Sequence, residues 1–108
     1  MRDFKVDFIG EVEMVGNDPH PPVLTAAVRP NFVISENYCL CYIVETDPPE
    51  GIPFQGKGTF RAHVICLEEN VPLFAVGSEF ELRAARRVFA KGSFREIISI
   101  AEAKPAST

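Results

Sequence analysis

The chain has no apolar run approaching the roughly 20 residues that a membrane-spanning helix requires. Its first residues, Met1 to Lys5, open directly into an alternating pattern rather than a signal peptide. Membrane and secreted classes are thereby set aside, and a cytoplasmic chain is expected. Cysteine is scarce and odd in number: Cys39, Cys41 and Cys66 do not make a disulfide framework. Cys39 and Cys41, two apart on one extended segment, share a face without the geometry of a bridge, so buried reduced thiols are expected. The Cys-x-x-Cys and His-x-x-x-His spacings of metal sites are missing, and a site built from Cys39, Cys41 and His63 or Cys66 is not assigned. The two histidines, His20 and His63, lie near no serine or cysteine in a nucleophile motif. Glu68 and Glu69 are adjacent, so on a strand they point to opposite faces and form no acid–base pair. No catalytic residue, metal or cofactor is assigned, and the chain is not expected to be an enzyme. The stretch TDPPEGIPFQGKG from Thr46 to Gly58 lacks the Gly-Lys-Ser/Thr ending of a phosphate loop, which speaks against a nucleotide cofactor.

An excess of positive charge is also missing: the net charge is −4, the opposite of what a general nucleic-acid binder carries. The distribution is uneven, however. From Glu79 to Arg95 the cations Arg83, Arg86, Arg87, Lys91 and Arg95 face only Glu79 and Glu81, a local balance of +3 that leaves −7 for the rest. One basic surface on an otherwise acidic body is the implication.

What is present is alternation. Phe4, Val6 and Phe8 alternate with Lys5 and Asp7, and apolar character continues past Gly10 to Val12 and Met14; this is a long first strand in which Gly10 marks a bulge or a close backbone approach. Gly16 to Pro22 is a loop of turn formers, and Val23 to Ala27 a short extended segment. Tyr38 to Val44 is an uninterrupted run of apolar and thiol residues, with Leu40, Tyr42 and Val44 on one face and Cys39, Cys41 and Ile43 on the other. Since a small barrel needs only one covered face, the other is expected to meet a partner. Phe60, Ala62, Val64 and Cys66 alternate with Thr59, Arg61, His63 and Ile65. Pro72 forbids a central strand, leaving Leu73, Phe74 and Val76 to cap the barrel end. From Ser78 to Ile100, Phe80 and Leu82 alternate with charged residues. After a break at Ala84 and Ala85 the pattern resumes with Val88, Phe94, Ile98 and Ile100, as in a hairpin followed by a closing strand. With 108 residues this is one all-β domain over 1–101, with a flexible tail over 102–108.

Phe80, Leu82, Arg83, Arg87 and Gly92, together with Arg29, Pro30 and Phe32 earlier in the chain, resemble the C-terminal (third) barrel domain of translation elongation factor Tu. That family has a Phe-x-Ile-Arg strand, a turn, an Arg and a Gly before the last strand, and an Arg-Pro-x-Phe motif ahead of its second strand. The resemblance implies a single six-stranded antiparallel Greek-key barrel standing alone, without the GTPase domain. The chain departs from the family at the turn, where paired glycines are replaced by Ala85 and Arg86, residues that tolerate positive φ poorly. Pro30 holds Arg29 on a defined backbone, with an ordinary ion pair to a carboxylate as the competing reading of that arginine.

In the family this barrel contacts the T arm of aminoacyl-tRNA, packs on the GTPase domain and is touched by the exchange factor. A binding module is therefore implied. The favoured expectation is protein–protein interaction, by self-association or with a partner protein, through Tyr42, Phe54 and Phe89. The alternative is translation-related RNA binding through Arg29, Arg83, Arg86, Arg87 and Lys91, which would grip duplex phosphates and release them in salt.

Overall fold

The computed structural model describes residues 2–103. Its strands are β1 (Asp3–Met14), β2 (Val23–Leu24), β3 (Asn31–Ile34), β4 (Asn37–Asp47), β5 (Ile52–Pro53), β6 (Lys57–Leu67), β7 (Glu79–Ala84) and β8 (Arg87–Glu102), with a 3-10 helix at Glu68–Leu73. Six of them close an antiparallel barrel in the order β1-β6-β4-β3-β7-β8, while β2 and β5 pair separately. The meander β3-β4-β6, with β1 returned beside β6 by the long connection ahead of β3, is a Greek key. Closure removes most of the sheet edge that an open arrangement of these strands would expose.

Alternation places the inner set. Val6, Phe8 and Val12 on β1, Cys39, Cys41 and Ile43 on β4, and Phe60, Ala62, Val64 and Cys66 on β6 are all buried, as period two on a one-sided wall demands. Phenylalanine fills the centre: the Phe8 ring lies 4.9 Å from Phe94 and 5.8 Å from Phe60, and Phe32 lies 4.8 Å from Phe80, within the range where tilted and offset ring pairs attract. Glycine makes this fit. A Cβ on Gly10 would stand 2.9 Å from the Phe80 ring, and one on Gly92 would stand 2.7 Å from it. Gly10 also sits at a register shift between β1 and β8, so both roles expected of it coincide.

The Ser78–Ile100 region forms its hairpin, but the second arm of the hairpin is itself the closing strand: β8 runs 16 residues, first against β7 and then along β1. Ala85 takes φ +55 at the turn, so the alanine adopts the left-handed conformation there despite its Cβ. A second two-residue turn, Ser35–Glu36, has both residues at positive φ, the geometry that matches the twist of a tight hairpin. Elsewhere the expected inner row of β8 is out of phase. The register slips by one at Phe89, which has no partner between the pairs Arg83–Val88 and Leu82–Ala90. This bulge turns Phe89 and Ala90 both into the core and leaves Val88 half-buried, while Phe94 keeps its expected buried place; further register shifts against β1 skip Arg95 and Ile98, and Ile98 and Ile100 are exposed. Val76, expected to cap the barrel end, is exposed, and Phe74 alone of that group is buried. The extended segment from Val23 is limited to Val23–Leu24. Glu102 is paired with Phe4; of the tail expected at 102–108, residues 104–108 lie outside the described residues.

Candidate functional site: two outer faces of the barrel

The first face is the hairpin wall. Arg83, Arg86, Arg87 and Lys91 all lie on the β7–β8 hairpin, but carboxylates of the hairpin and of other elements are folded among them. Arg83 donates to Glu81 Oε1 at 2.6 Å and to the Tyr38 hydroxyl at 2.8 Å, and its guanidinium lies 5.5 Å from the Tyr38 ring centre. Arg87 donates to the His20 carbonyl and stands 3.5 Å from Asp18. A hydrogen bond from the His20 ring, aided by the Arg87 charge, holds the Asp18 carboxyl below the usual range. Arg95 pairs with Glu11 at 3.0 Å. Lys91 stands in register between Glu13 on β1 and Glu81 on β7, and Glu13 in turn pairs with Lys57 on β6 at 3.4 Å. Lys57, Glu13, Lys91 and Glu81 thus form one row of alternating sign across four strands. All four of these residues line one open groove of about 990 Å³, together with Gly58 and Gly92. The +3 of the hairpin is neutralised locally, and the basic surface expected from sequence is a mixed one. Among the described residues Arg83, Arg87 and Arg95 each have an ion-pair partner, whereas Lys91 meets its carboxylates only in register and Arg86 has neither.

The second face is the outer side of β4. Its inner residues, Cys39, Cys41 and Ile43, complete the core, so the opposite side of the same apolar run has no core to enter. Leu40 is 61% exposed, Tyr38 52% and Val44 49%. Leu40 lies opposite the half-buried Ile65 of β6, and Tyr42 lies opposite His63 with the two rings stacked at 5.1 Å. Arg29 covers the other side of Tyr42, its guanidinium 5.1 Å from the ring centre. This is the contact Pro30 positions, and a tyrosine face rather than a carboxylate receives the arginine. Burial, and next the Lys5 charge, pushes the His63 ring below its ordinary pKa, opposed by Asp7. Beyond Val44 the outward residues are Glu45 and Asp47, both exposed. The face therefore runs from an aromatic, arginine-capped end to an acidic end.

Of the three residues expected at a protein interface, only Tyr42 lies on this face. Phe89 is 3% exposed and belongs to the core, for the reason given by the bulge. Phe54 is half-buried in the β5–β6 connection, where its N–H donates to the Pro22 carbonyl at 2.9 Å. Alternation sets Leu40 and Val44 on one face of β4 with Tyr42 but does not say which face turns outward, and neither was among the expected interface residues. The three thiols are free and buried. Burial pushes Cys39 up to about 11 and Cys41 up to about 12, so the thiolate is a minor form of either at neutral pH. Among the described residues no group of three or more His, Cys, Asp or Glu side chains is placed to hold a metal ion, and no helix is long and apolar enough to cross a membrane. No protein-family model matches the chain, and no curated protein matches it.

Proposed function

We propose that this barrel is a non-catalytic protein-interaction module that acts in the cytoplasm and uses the outer face of β4, with a second copy of the chain as its first partner. The observation that carries the reading is the exposed stripe Tyr38, Leu40 and Val44 on a strand whose inner side is already satisfied. Large apolar side chains grouped on one face, bordered by arginine and tyrosine, have the composition of an interface centre. The stripe is also self-complementary in charge. A copy laid antiparallel across it brings the Tyr38–Arg83 end of one chain against the Glu45–Asp47 end of the other, twice by symmetry. Kinship with the third barrel of elongation factor Tu belongs to the same proposal, as does the absence of catalysis.

The RNA reading has less support, because Arg83, Arg87 and Lys91 already stand against Glu81, Asp18 and Glu13. Light scattering on the purified chain separates the two. Self-association through β4 predicts a mass above the single-chain 12.0 kDa that persists in high salt, returns to one chain with Leu40→Glu, and ignores Arg86→Glu with Arg87→Glu. A single-chain mass at every concentration overturns it. A nucleic-acid absorbance that disappears in salt and with the double arginine change favours the RNA reading.

A further inference from the structure

Cys39 and Cys66 lie far apart in the chain but close in the barrel. The β4–β6 ladder pairs Leu40 with Ile65, Cys41 with Val64 and Tyr42 with His63. Carrying that register one residue past Leu40 sets Cys39 opposite Cys66. On its other side each cysteine is held in a ladder, Cys39 paired with Phe32 of β3 and Cys66 with Phe4 of β1. Both side chains face the interior, Cys39 at 9% exposure and Cys66 at 4%. Residues directly opposed on antiparallel strands have Cα atoms about 4.5–5.5 Å apart, inside the span of roughly 4.4–6.8 Å that a disulfide bridges. Cys41, by contrast, has Val64 opposite it.

We infer that Cys39 and Cys66 form a cross-strand thiol–disulfide site, whose substrate is a small-molecule disulfide of the glutathione class. The chemistry balances in two exchange steps. Cys39 Sγ, as the thiolate, attacks one sulfur of the small disulfide and forms a mixed disulfide, expelling one small thiolate. Cys66 Sγ then attacks Cys39 Sγ, forms the Cys39–Cys66 bond and expels the second small thiolate. Two protein thiols are oxidised, one small disulfide is reduced to two thiols, and the two protons pass to the leaving thiolates or to solvent. Cys39 is the entry thiol because it is the more exposed of the two and lies beside the rim at the Ser35–Glu36 turn. Burial raises both thiols above their ordinary value, so the exchange is slow at neutral pH. Its rate climbs about tenfold per pH unit while the thiolate of Cys39 remains the minor form.

The test uses the full native chain, incubated with oxidised glutathione between pH 7 and 9 and followed by intact mass and a non-reducing tryptic map. Trypsin does not cut between Arg29 and Pro30, so Cys39 and Cys41 travel together on one peptide, residues 6–57, and Cys66 on another, 62–83. The expected product has lost two hydrogens and joins these two peptides, both in the wild type and in Cys41→Ala, with a rate that rises with pH. Cys39→Ala and Cys66→Ala lack the cross-link; the wild-type and Cys41→Ala maps stand without them should either fold poorly. A chain that stays fully reduced across this pH range, that carries only glutathione adducts, or that loses its cross-link with Cys41→Ala overturns the inference.

Discussion

Gly92 has no room for a side chain. A Cβ there would stand 2.3 Å from the Glu11 carbonyl oxygen and 2.7 Å from the Phe80 ring, and a backbone oxygen locked in a ladder has little room to yield. Gly92→Ala is expected to lower stability by roughly 1–3 kcal/mol, the usual cost of overpacking, read as a shift of the urea midpoint. Trimming Phe80 to Leu in the same chain relieves the ring contact but not the carbonyl one, so the double variant recovers only part of the loss. Asp7 works by charge instead. Arg61 donates to its carboxylate at 3.0 and 3.3 Å, and these bonds hold the carboxyl below its ordinary 3.8 against the opposing effect of burial. A carboxylate with a depressed folded-state pKa contributes stability that is complete above the unfolded value and is lost as pH falls through the folded one. Asp7→Asn is therefore expected to cost about 1 kcal/mol at neutral pH. The gap between variant and wild type closes as the pH drops below 3.8, measured by denaturant titration across that range. His63 follows the same arithmetic with the opposite charge. Its lowered ring pKa favours the neutral form in the fold, so its contribution is intact above the ordinary 6.5 and declines as pH falls below it.

Among the elements, the informative arrangement is the row Lys57, Glu13, Lys91 and Glu81 across β6, β1, β8 and β7. Lys91→Glu sets like charges opposite each other on both sides at once. The expected loss is on the order of 1 kcal/mol, since each like-charged cross-strand pair costs a fraction of that. Thermal unfolding at low and high salt checks it, the penalty shrinking as the charges are screened. None of this row was visible along the chain, because its members come from four strands and meet only once the register is set. The inner faces of β1 and β6 were legible for the converse reason: alternation is a property of each strand alone, and Val6, Phe8, Phe60, Ala62, Val64 and Cys66, which it marks, are buried. Phe89 shows where that logic stops. A bulge adds one residue to a strand, and β8 has three, at Phe89, Arg95 and Ile98. Period two cannot announce such slips in advance, so it reads Phe94 correctly but misplaces Phe89, Ile98 and Ile100. For the candidate site, the two faces of β4 could be read from sequence, whereas which of them turns outward, and the carboxylates that other elements bring to the hairpin, could not.

At the scale of the molecule, the all-β fold expected from alternation is observed as a closed antiparallel barrel of six strands in Greek-key order. Closure rests on the pairing of β1 with β8, the first strand and the last. That pairing continues to the edge of the described residues: Phe4 is paired with Glu102, the Ala103 N–H donates to the Asp3 carbonyl at 2.9 Å, and Arg2 stands 3.5 Å from Glu102. Residues 3 and 103 are thus neighbours. Linked there by a short flexible segment, the polypeptide becomes a ring, and a ring can be cut anywhere that a turn alone is lost. The natural place is between Ala85 and Arg86, where cutting also frees the alanine from its positive φ. A gene rearranged to begin at Arg86 and end at Ala85 should encode the same barrel, with the far-ultraviolet spectrum of the parent. The order in which a ribosome would make these strands is then a matter of convention, and the barrel's identity resides in its neighbours around the circle.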